Sequence, residues 1–598
     1  MTALVAENWW NQRYLDDWLF VPDIDKFYRG ELSLRDILAP QMEHRIALPR
    51  VLVILLTWLF HGDVRAQNVL CLMLVWGSFA VMGWFMLRRR TGLSIRESCL
   101  PLFLAGAIMF SPLQWQILLW GICFTGWLPG FFLLLVVAVF VSSRSNWLKL
   151  LLGAPAAVLS LLSFGAGLAT WILPGLAMGR TDMGARKRRL LFFAAWLGLF
   201  CVSMILYLHN LRNTVPANFA YGQGEQPTMG RNFADLVSRP LHGIHFFLTF
   251  CGAILVRGLP CDVLSLAPVA GAVFLLLVGL LLVWVWRNRQ DQWVSGAVLP
   301  WVPVLLYAPF SGALVTLGRA WVTKGAAPAL AGRYSTLQLP SLAAMVVMFF
   351  LIARVIGPRV PRSIRRFGWA ATGAFMMLIA VQWAYGASMM TQWQAARMKN
   401  SAAQLFDTLR PRSEAMRRSG VPLDMVSSWL QILAQHHLTP FTPLPTPSLA
   451  HFKQKASPLP ASLAAFEGIE KQSDNTWVAK GYALLPGRRR TPEAVLFAWR
   501  KDNSEWTIFG FLQSDTLPTY LRATQAKDVA HMTFSAWGSE VLGEWWPIVD
   551  VISPPPAGAE ISAWALDVHE RSVAQILPPP SKRSTLRGVR KRDAGKPR

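Results

Sequence analysis

A chain of 598 residues with 53% hydrophobic residues, only 15% charged residues and a mean hydropathy of +0.35 is too apolar for a soluble enzyme, so lipid is the solvent for much of it. The net charge of +25 does not mark a nucleic-acid binder: the basic residues fall in short clusters between apolar runs, and no nucleic-acid-binding signature accompanies them. The six cysteines lie in or beside apolar segments and read neither as a disulfide framework nor as a metal site, so no metal and no cofactor are expected.

In chain order, residues 1–64 read as an extracytoplasmic acidic loop that ends in an amphipathic or re-entrant helix, Ile46 to Phe60, with Arg50 inside the apolar run. Residues 65–388 read as a transmembrane domain of about ten helices, since roughly twenty apolar residues cross the hydrocarbon core. The spans fall near 65–87, 97–112, 122–142, 148–163, 165–179, 190–208, 264–286, 295–315, 336–356 and 368–388. His245 to Val256 is too short for a crossing and reads as a second surface helix.

Basic clusters at Arg88–Arg90, Arg144 with Lys149, Arg180 with Arg186 to Arg189, Arg287 with Arg289, and Arg354 to Arg366 fall on one side if every span alternates. Lys and Arg near span ends stay cytoplasmic. Residues 1–64, the segments near 113–121, 209–263 and 316–335, and everything after 388 are then placed outside.

Residues 389–460 read as a polar helix followed by a Pro- and Thr-rich linker from Pro440 to Pro460, and 461–577 as an extracytoplasmic β-rich domain resembling a small sandwich. Its strands are expected at Trp477–Leu484, Ala494–Trp499, Trp506–Leu512 and Ile561–Leu566, with Trp499 or Trp537 serving either to stack on sugar or to pack the core. Residues 578–598 form a basic tail expected to be disordered or to lie on anionic lipid. The fold class is thus mostly α, a polytopic transmembrane helical bundle with a C-terminal β-sandwich-like domain.

The N-terminal loop concentrates chemistry. It carries Tyr14-Leu15-Asp16-Asp17-Trp18, then Glu43-His44-Arg45 and Leu48-Pro49-Arg50. A carboxylate there can act as general base on a hydroxyl, and Arg or His can hold a lipid phosphate. The same residue types also make a solvated, helix-capping loop. His436-His437 occupy neighbouring helix positions that point to different faces, which suits solvent exposure better than a ligand pair.

These N-terminal runs, with Phe110-Ser111-Pro112, Gln114, Leu119-Trp120-Gly121, Leu162-Ser163-Phe164, Gly167-Leu168 and Gly332-Arg333-Tyr334-Ser335-Thr336, resemble the C-type glycosyltransferases. These are polyprenyl-phosphate-sugar-dependent membrane enzymes that include the protein mannosyltransferases and the lipid A aminoarabinose transferase. The resemblance implies a multi-pass protein of the bacterial inner membrane that transfers a sugar from a polyprenyl-phosphate donor to an extracytoplasmic glycan or lipid acceptor. It implies Asp16, Asp17 or Glu43 as the base, with His44, Arg45, Arg319, Lys324, Arg333 and Tyr334 at the substrate; interfacial snorkelling is the alternative use of Arg333 and Tyr334. The 113–121 loop holds Gln114 and Gln116 but no second acid, which departs from that pattern.

Two other functions fit a chain of this kind: a transporter or flippase for lipid-linked glycan, and a non-catalytic scaffold whose β-domain binds glycan. Because nothing apolar precedes the acidic loop, a further span upstream of Met1 is also expected, with an apolar groove beside the following spans where it would pack.

Overall fold

The computed structural model describes residues 1–41, 44–87, 91–178, 186–209, 229–320, 326–356, 361–409, 423–439, 442–473, 476–486, 492–502, 504–512 and 548–579. The chain is mostly helical and divides at Thr391/Gln392 into two compact units.

The first unit begins with α1 (Thr2–Asn8), a 3-10 turn at Leu15–Phe20, α2 (Val21–Tyr28), α3 (Leu34–Ile37) and α4 (Ala47–Leu59). It continues with α5 (Arg65–Leu87), α6 (Ile95–Met109), α7 (Trp115–Leu119), a 3-10 turn at Gly121–Gly126, α8 (Trp127–Val141), α9 (Asn146–Leu161), α10 (Ala169–Ile172) and α11 (Arg186–Leu208). After these come α12 (Met229–Ser238), α13 (Pro240–Val256), α14 (Val263–Arg287), α15 (Val302–Leu305), α16 (Tyr307–Arg319), α17 (Ser335–Ile356) and α18 (Arg362–Leu405), of which the last continues past the division.

Among the described residues, eight helical stretches are long and apolar enough to cross a membrane: Arg65–Leu87, Ile95–Leu119, Gly121–Val141, Lys187–Leu208, Val263–Arg287, Val294–Arg319, Gly332–Ile356 and Arg362–Ala402. They make this a candidate multi-pass membrane protein. The spans expected near 148–163 and 165–179 are shorter, at Asn146–Leu161 and Gly165–Ala177. The chain turns at Leu162–Phe164, and the second stretch is a short α-helix between two 3-10 turns, ending at Pro174–Ala177. Proline removes a donor and favours such breaks.

Helix α4 is amphipathic, as its sequence implies: Arg50, Val53, Ile54 and Thr57 face inward, while Val51, Leu55, Trp58 and Leu59 are exposed. Helix α13 has its two ends tied to one interspan stretch. The His242 ring bonds the Ala320 carbonyl at 2.7 Å, and Arg257 donates to the carbonyl of Leu330. It lies against the first turns of α14 where two glycines meet, since a Cβ on Gly252 would run into the Ala267 carbonyl and one on Gly271 into that of Leu248.

Contacts group the interspan segments of this unit into two sets. One set joins the N-terminal loop to residues 116–126, 162–165, 207–209 and 332–336. The other joins the 91–97 stretch to 293 and 354: Trp293 donates to the Thr91 carbonyl at 2.9 Å, and Arg354 pairs with Glu97 at 3.0 Å.

In the second unit, α19 (Leu423–Gln435) and the end of α18 accompany one eight-stranded sheet rather than two stacked ones. Its strands are β1 (Lys453–Gln454), β2 (Ala464–Ser473), β3 (Thr476–Ala483), β4 (Ala494–Arg500), β5 (Thr507–Leu512), β6 (Ile548–Val551), β7 (Glu560–Asp567) and β8 (Ser572–Ile576). They run in the order β1-β8-β7-β4-β5-β6-β3-β2, antiparallel except for β1 with β8. The Phe466 amide donates to the Leu577 carbonyl at 3.0 Å, so β2 returns to the end of β8 and the sheet rolls around one core that includes Phe466, Phe497, Phe509 and Ile576.

The Pro-rich stretch is no free linker. From residue 442 it is stitched to this unit: Leu444 N donates to Leu405 O, Leu449 N to Trp506 O, and Leu459 N to Gln575 O, at 2.8–3.1 Å. Extended proline-containing chain serves here because its remaining amides and carbonyls are free to pair at a sheet edge. Trp499 packs against the core, and Trp537 lies outside the described residues.

Candidate functional site

The N-terminal loop is held by its own capping chemistry and by two buried arginines. Ser33 and Asp36 cap α3 reciprocally, and Lys26 pairs with Asp36 at 2.6 Å. Arg50 donates from Nε to Asp23 at 2.8 Å, from Nη1 to the carbonyls of Ile37 and Ala39, and from Nη2 to Gln41 Oε1. Burial raises the Asp23 carboxyl above its ordinary value, against the pull of Arg50.

Arg45 is spent in the same way. Its Nε donates to the Tyr207 carbonyl at 2.7 Å, Nη1 to that of Leu38 and Nη2 to that of His209, so the guanidinium fastens the loop to the end of α11. The ring of neighbouring His44 lies 4.6 Å from that of Phe164, with Cε1 and Nδ1 3.0 Å from where a Cβ on Gly165 would stand. The small residue after Phe164 therefore makes room for the imidazole.

The acidic pair divides by environment. Asp17 is buried and accepts two backbone N–H groups, Tyr14 at 2.9 Å and Ile122 at 2.8 Å. Trp120 completes the junction: its indole N–H donates to the Tyr14 carbonyl at 3.1 Å, and the two rings meet edge to face at 5.3 Å. Asp16, on the same 3-10 turn, is only half-buried. Asp16, Asp17 and Arg333 all lie within electrostatic reach of the Cys123 thiol, which brings the candidate base and one candidate phosphate ligand into the neighbourhood of one residue.

Arg333 sits in a 3-10 turn, half-buried, with its guanidinium carbon 5.8 Å from the Tyr334 ring centre; Tyr334 is buried against Phe250. Gly332 lies close to Gln116, whose Oε1 is 2.5 Å from where a Cβ would be, and Gly126 lies close to the Thr336 hydroxyl in the same way. Gln114 bridges Met109 and Trp127 with its amide. Arg319 ends α16 half-buried, while Glu43 and Lys324 lie outside the described residues.

Three residues of this region carry no expectation from the sequence. Arg13 is 6% exposed; its Nη2 reaches Thr57 Oγ1 at 3.4 Å, while Nε and Nη1 have no hydrogen-bond partner among the described residues. Burial lowers its pKa, opposed by Asp17. Gln67 and Asn68 open α5 as buried amides. A charged residue directly before Tyr14, and two amides starting an apolar run, are the signals that point to them. Among the described residues, no group of three or more His, Cys, Asp or Glu side chains is arranged to hold a metal ion. No protein-family model, no curated protein and no solved structure matches this chain.

Proposed function

We propose that this is a membrane glycosyltransferase of the bacterial inner membrane, taking a sugar from a polyprenyl phosphate and passing it to an extracytoplasmic glycan or lipid hydroxyl. The observation that carries the reading is convergence. Tyr14, Asp16, His44, Trp120, Phe164 and Arg333 come from five stretches spread over more than half the chain, yet they belong to one layer of contacts in the first unit.

In this reading Asp16 takes the proton from the acceptor hydroxyl as that oxygen bonds to the anomeric carbon, and the carbon–oxygen bond to the lipid phosphate breaks. Arg333 meets the departing phosphate, for which a guanidinium offers parallel N–H groups. Asp17, Arg45 and Arg50 hold the frame.

The test compares lipid-linked sugars and envelope glycans in a deletion strain, a strain complemented with the intact gene and one complemented with Asp16→Asn. Accumulated donor in the deletion and Asp16→Asn strains supports transfer. Unchanged glycan pools in every strain overturn it. A second reading, a non-catalytic scaffold, draws on how many polar atoms of Asp17, Arg45 and Arg50 serve the fold; it expects Asp16→Asn to complement fully.

A further inference from the structure

Burying a guanidinium with one long hydrogen bond is costly, and native interiors rarely leave such donors open. Among the described residues, Arg13 leaves two without a partner, Nε and Nη1. On the first turn of α5, Gln67 Oε1 and Asn68 Oδ1 are buried acceptors without partners among the described residues, although the Asn68 amide nitrogen is fixed by the Leu118 carbonyl at 2.8 Å.

A series of contacts through four pieces of chain links these residues. Asn11 Oδ1 accepts from Val64 N at 2.9 Å, and Arg13 reaches Thr57. Val64 and Gln67 both press on Gly121, with Gln67 Oε1 2.8 Å from where a Cβ would be. The next residue, Ile122, donates to Asp17, the charge that acts on Arg13.

We infer that Arg13, Gln67 and Asn68 form a buried binding site for neutral hydroxyl groups, which accept from the guanidinium and donate to the two amide oxygens. The open set is two donors and two acceptors, and hydroxyls satisfy both kinds at once. An anion satisfies only Arg13 and is repelled by Asp17 and by both amide oxygens. The hydroxyl can be that of ordered water or of a sugar. Because stability and labelling are the readouts, the site stands or falls separately from the assignment of Asp16 as a base.

The full-length protein in detergent tests it through Arg13→Met, Gln67→Leu and the double variant. Each single change strands the other's open atoms and lowers the melting temperature by roughly 2–4 °C, whereas the double variant falls no further than the worse single one. Sub-additive loss is the coupling expected of two residues that serve one site without bonding each other directly. Additive losses overturn the site. So does a rise in melting temperature with inorganic phosphate that Arg13→Met abolishes, since that is an anion site.

If the variants fail to fold, X-ray radiolytic labelling of the intact protein decides. Buried Cys71, one turn from Asn68, should be oxidised by locally generated hydroxyl radical, and its protection overturns the proposal. The sources separate in the intact protein: a saturating rise in melting temperature at millimolar glucose or galactose assigns the site to a sugar hydroxyl, and no rise assigns it to water.

Discussion

The carboxylate of Asp17 accepts the backbone N–H of Ile122 at 2.8 Å across 105 residues of sequence, while its half-buried neighbour Asp16 leads the same turn. The two acids are therefore separable by experiment. In Asp17→Asn an amide replaces a carboxylate that accepts two backbone donors, and one NH2 group is set against an N–H. The expected cost is about 2–3 kcal/mol of stability. Asp16→Asn should leave the melting temperature within roughly 1 °C and reduce transfer by about 10² to 10⁴ if Asp16 is the base. A thermal shift in Asp16→Asn with normal transfer would reverse the assignment.

The N-terminal loop should weaken in acid, and the cause can be assigned. Lys26 and Ser33 hold the Asp36 carboxyl well below its ordinary value of 3.8. The unfolded loop thus binds more protons between the two values, and this contribution is present above pH 3.8 and is lost as pH falls below it. Asp23 has the opposite sign: burial raises its value, so its ionisation opposes folding, and its contribution is lost as pH rises through that raised value. Pepsin cleavage within residues 29–41 should increase in the wild type as pH drops from 4.5 to 2. In Asp36→Asn, with cleavage normalised to that of an unstructured peptide at each pH, the rise should disappear or reverse, because Asp23 still titrates with the opposite sign; an unchanged slope would show that Asp36 is not the titrating group.

Much of the membrane unit is legible in the sequence because hydrocarbon demands long apolar runs, and α5, α14 and α17 supply them without interruption. The strands of the second unit are legible for a similar reason, their apolar residues standing between turn residues. What a single sequence hides is pairing over distance. Arg45 finds Tyr207 and His209 more than 160 residues away, and no local pattern marks it as an arginine that clamps carbonyls. The Pro-rich stretch misleads because proline forbids helix without forbidding an extended chain on a sheet edge. Both Asp16 and Asp17 read as candidate bases; that the Asp17 carboxylate is held by the Ile122 amide is a pairing no spacing rule gives.

Arg45 and Arg333 should therefore fail differently when each becomes lysine. An ammonium at 45 cannot reach three carbonyls set around a planar fork, so Arg45→Lys should lower stability by about 2–3 kcal/mol, and transfer should fall only in proportion to folded protein. If Arg333 holds the lipid phosphate, Arg333→Lys should keep its fold and lose transfer tenfold or more per folded molecule, because an ammonium cannot make the bidentate contact. Thermal melts and transfer normalised to folded protein separate the two; equal specific activity in Arg333→Lys and wild type would remove Arg333 from the substrate.

The crossing of α13 and α14 gives the sharpest steric prediction. At Gly252 and Gly271 a Cβ meets backbone carbonyl oxygen on the facing helix, and a backbone atom cannot swing aside as a flexible side chain can. Gly252→Ala must push the helices apart along their whole contact, at a cost of about 3 kcal/mol or more. Gly279, on the same helix α14, meets nothing within 4 Å of its would-be Cβ, so Gly279→Ala should be neutral or slightly stabilising through higher helix propensity. The two variants share the chemical change and the helix pair and differ only in what the added methyl meets. Monodispersity and melting temperature in detergent provide the comparison: a marked loss in Gly252→Ala and Gly271→Ala with none in Gly279→Ala is the expected pattern. Equal behaviour of all three would mean that the close crossing is not what holds α13 in place. The loss should also reach the 320–330 stretch, because α13 is bonded to it at both ends through His242 and Arg257. Faster proteolysis there in Gly252→Ala than in Gly279→Ala would show that the glycine contact positions the segment leading into Arg333.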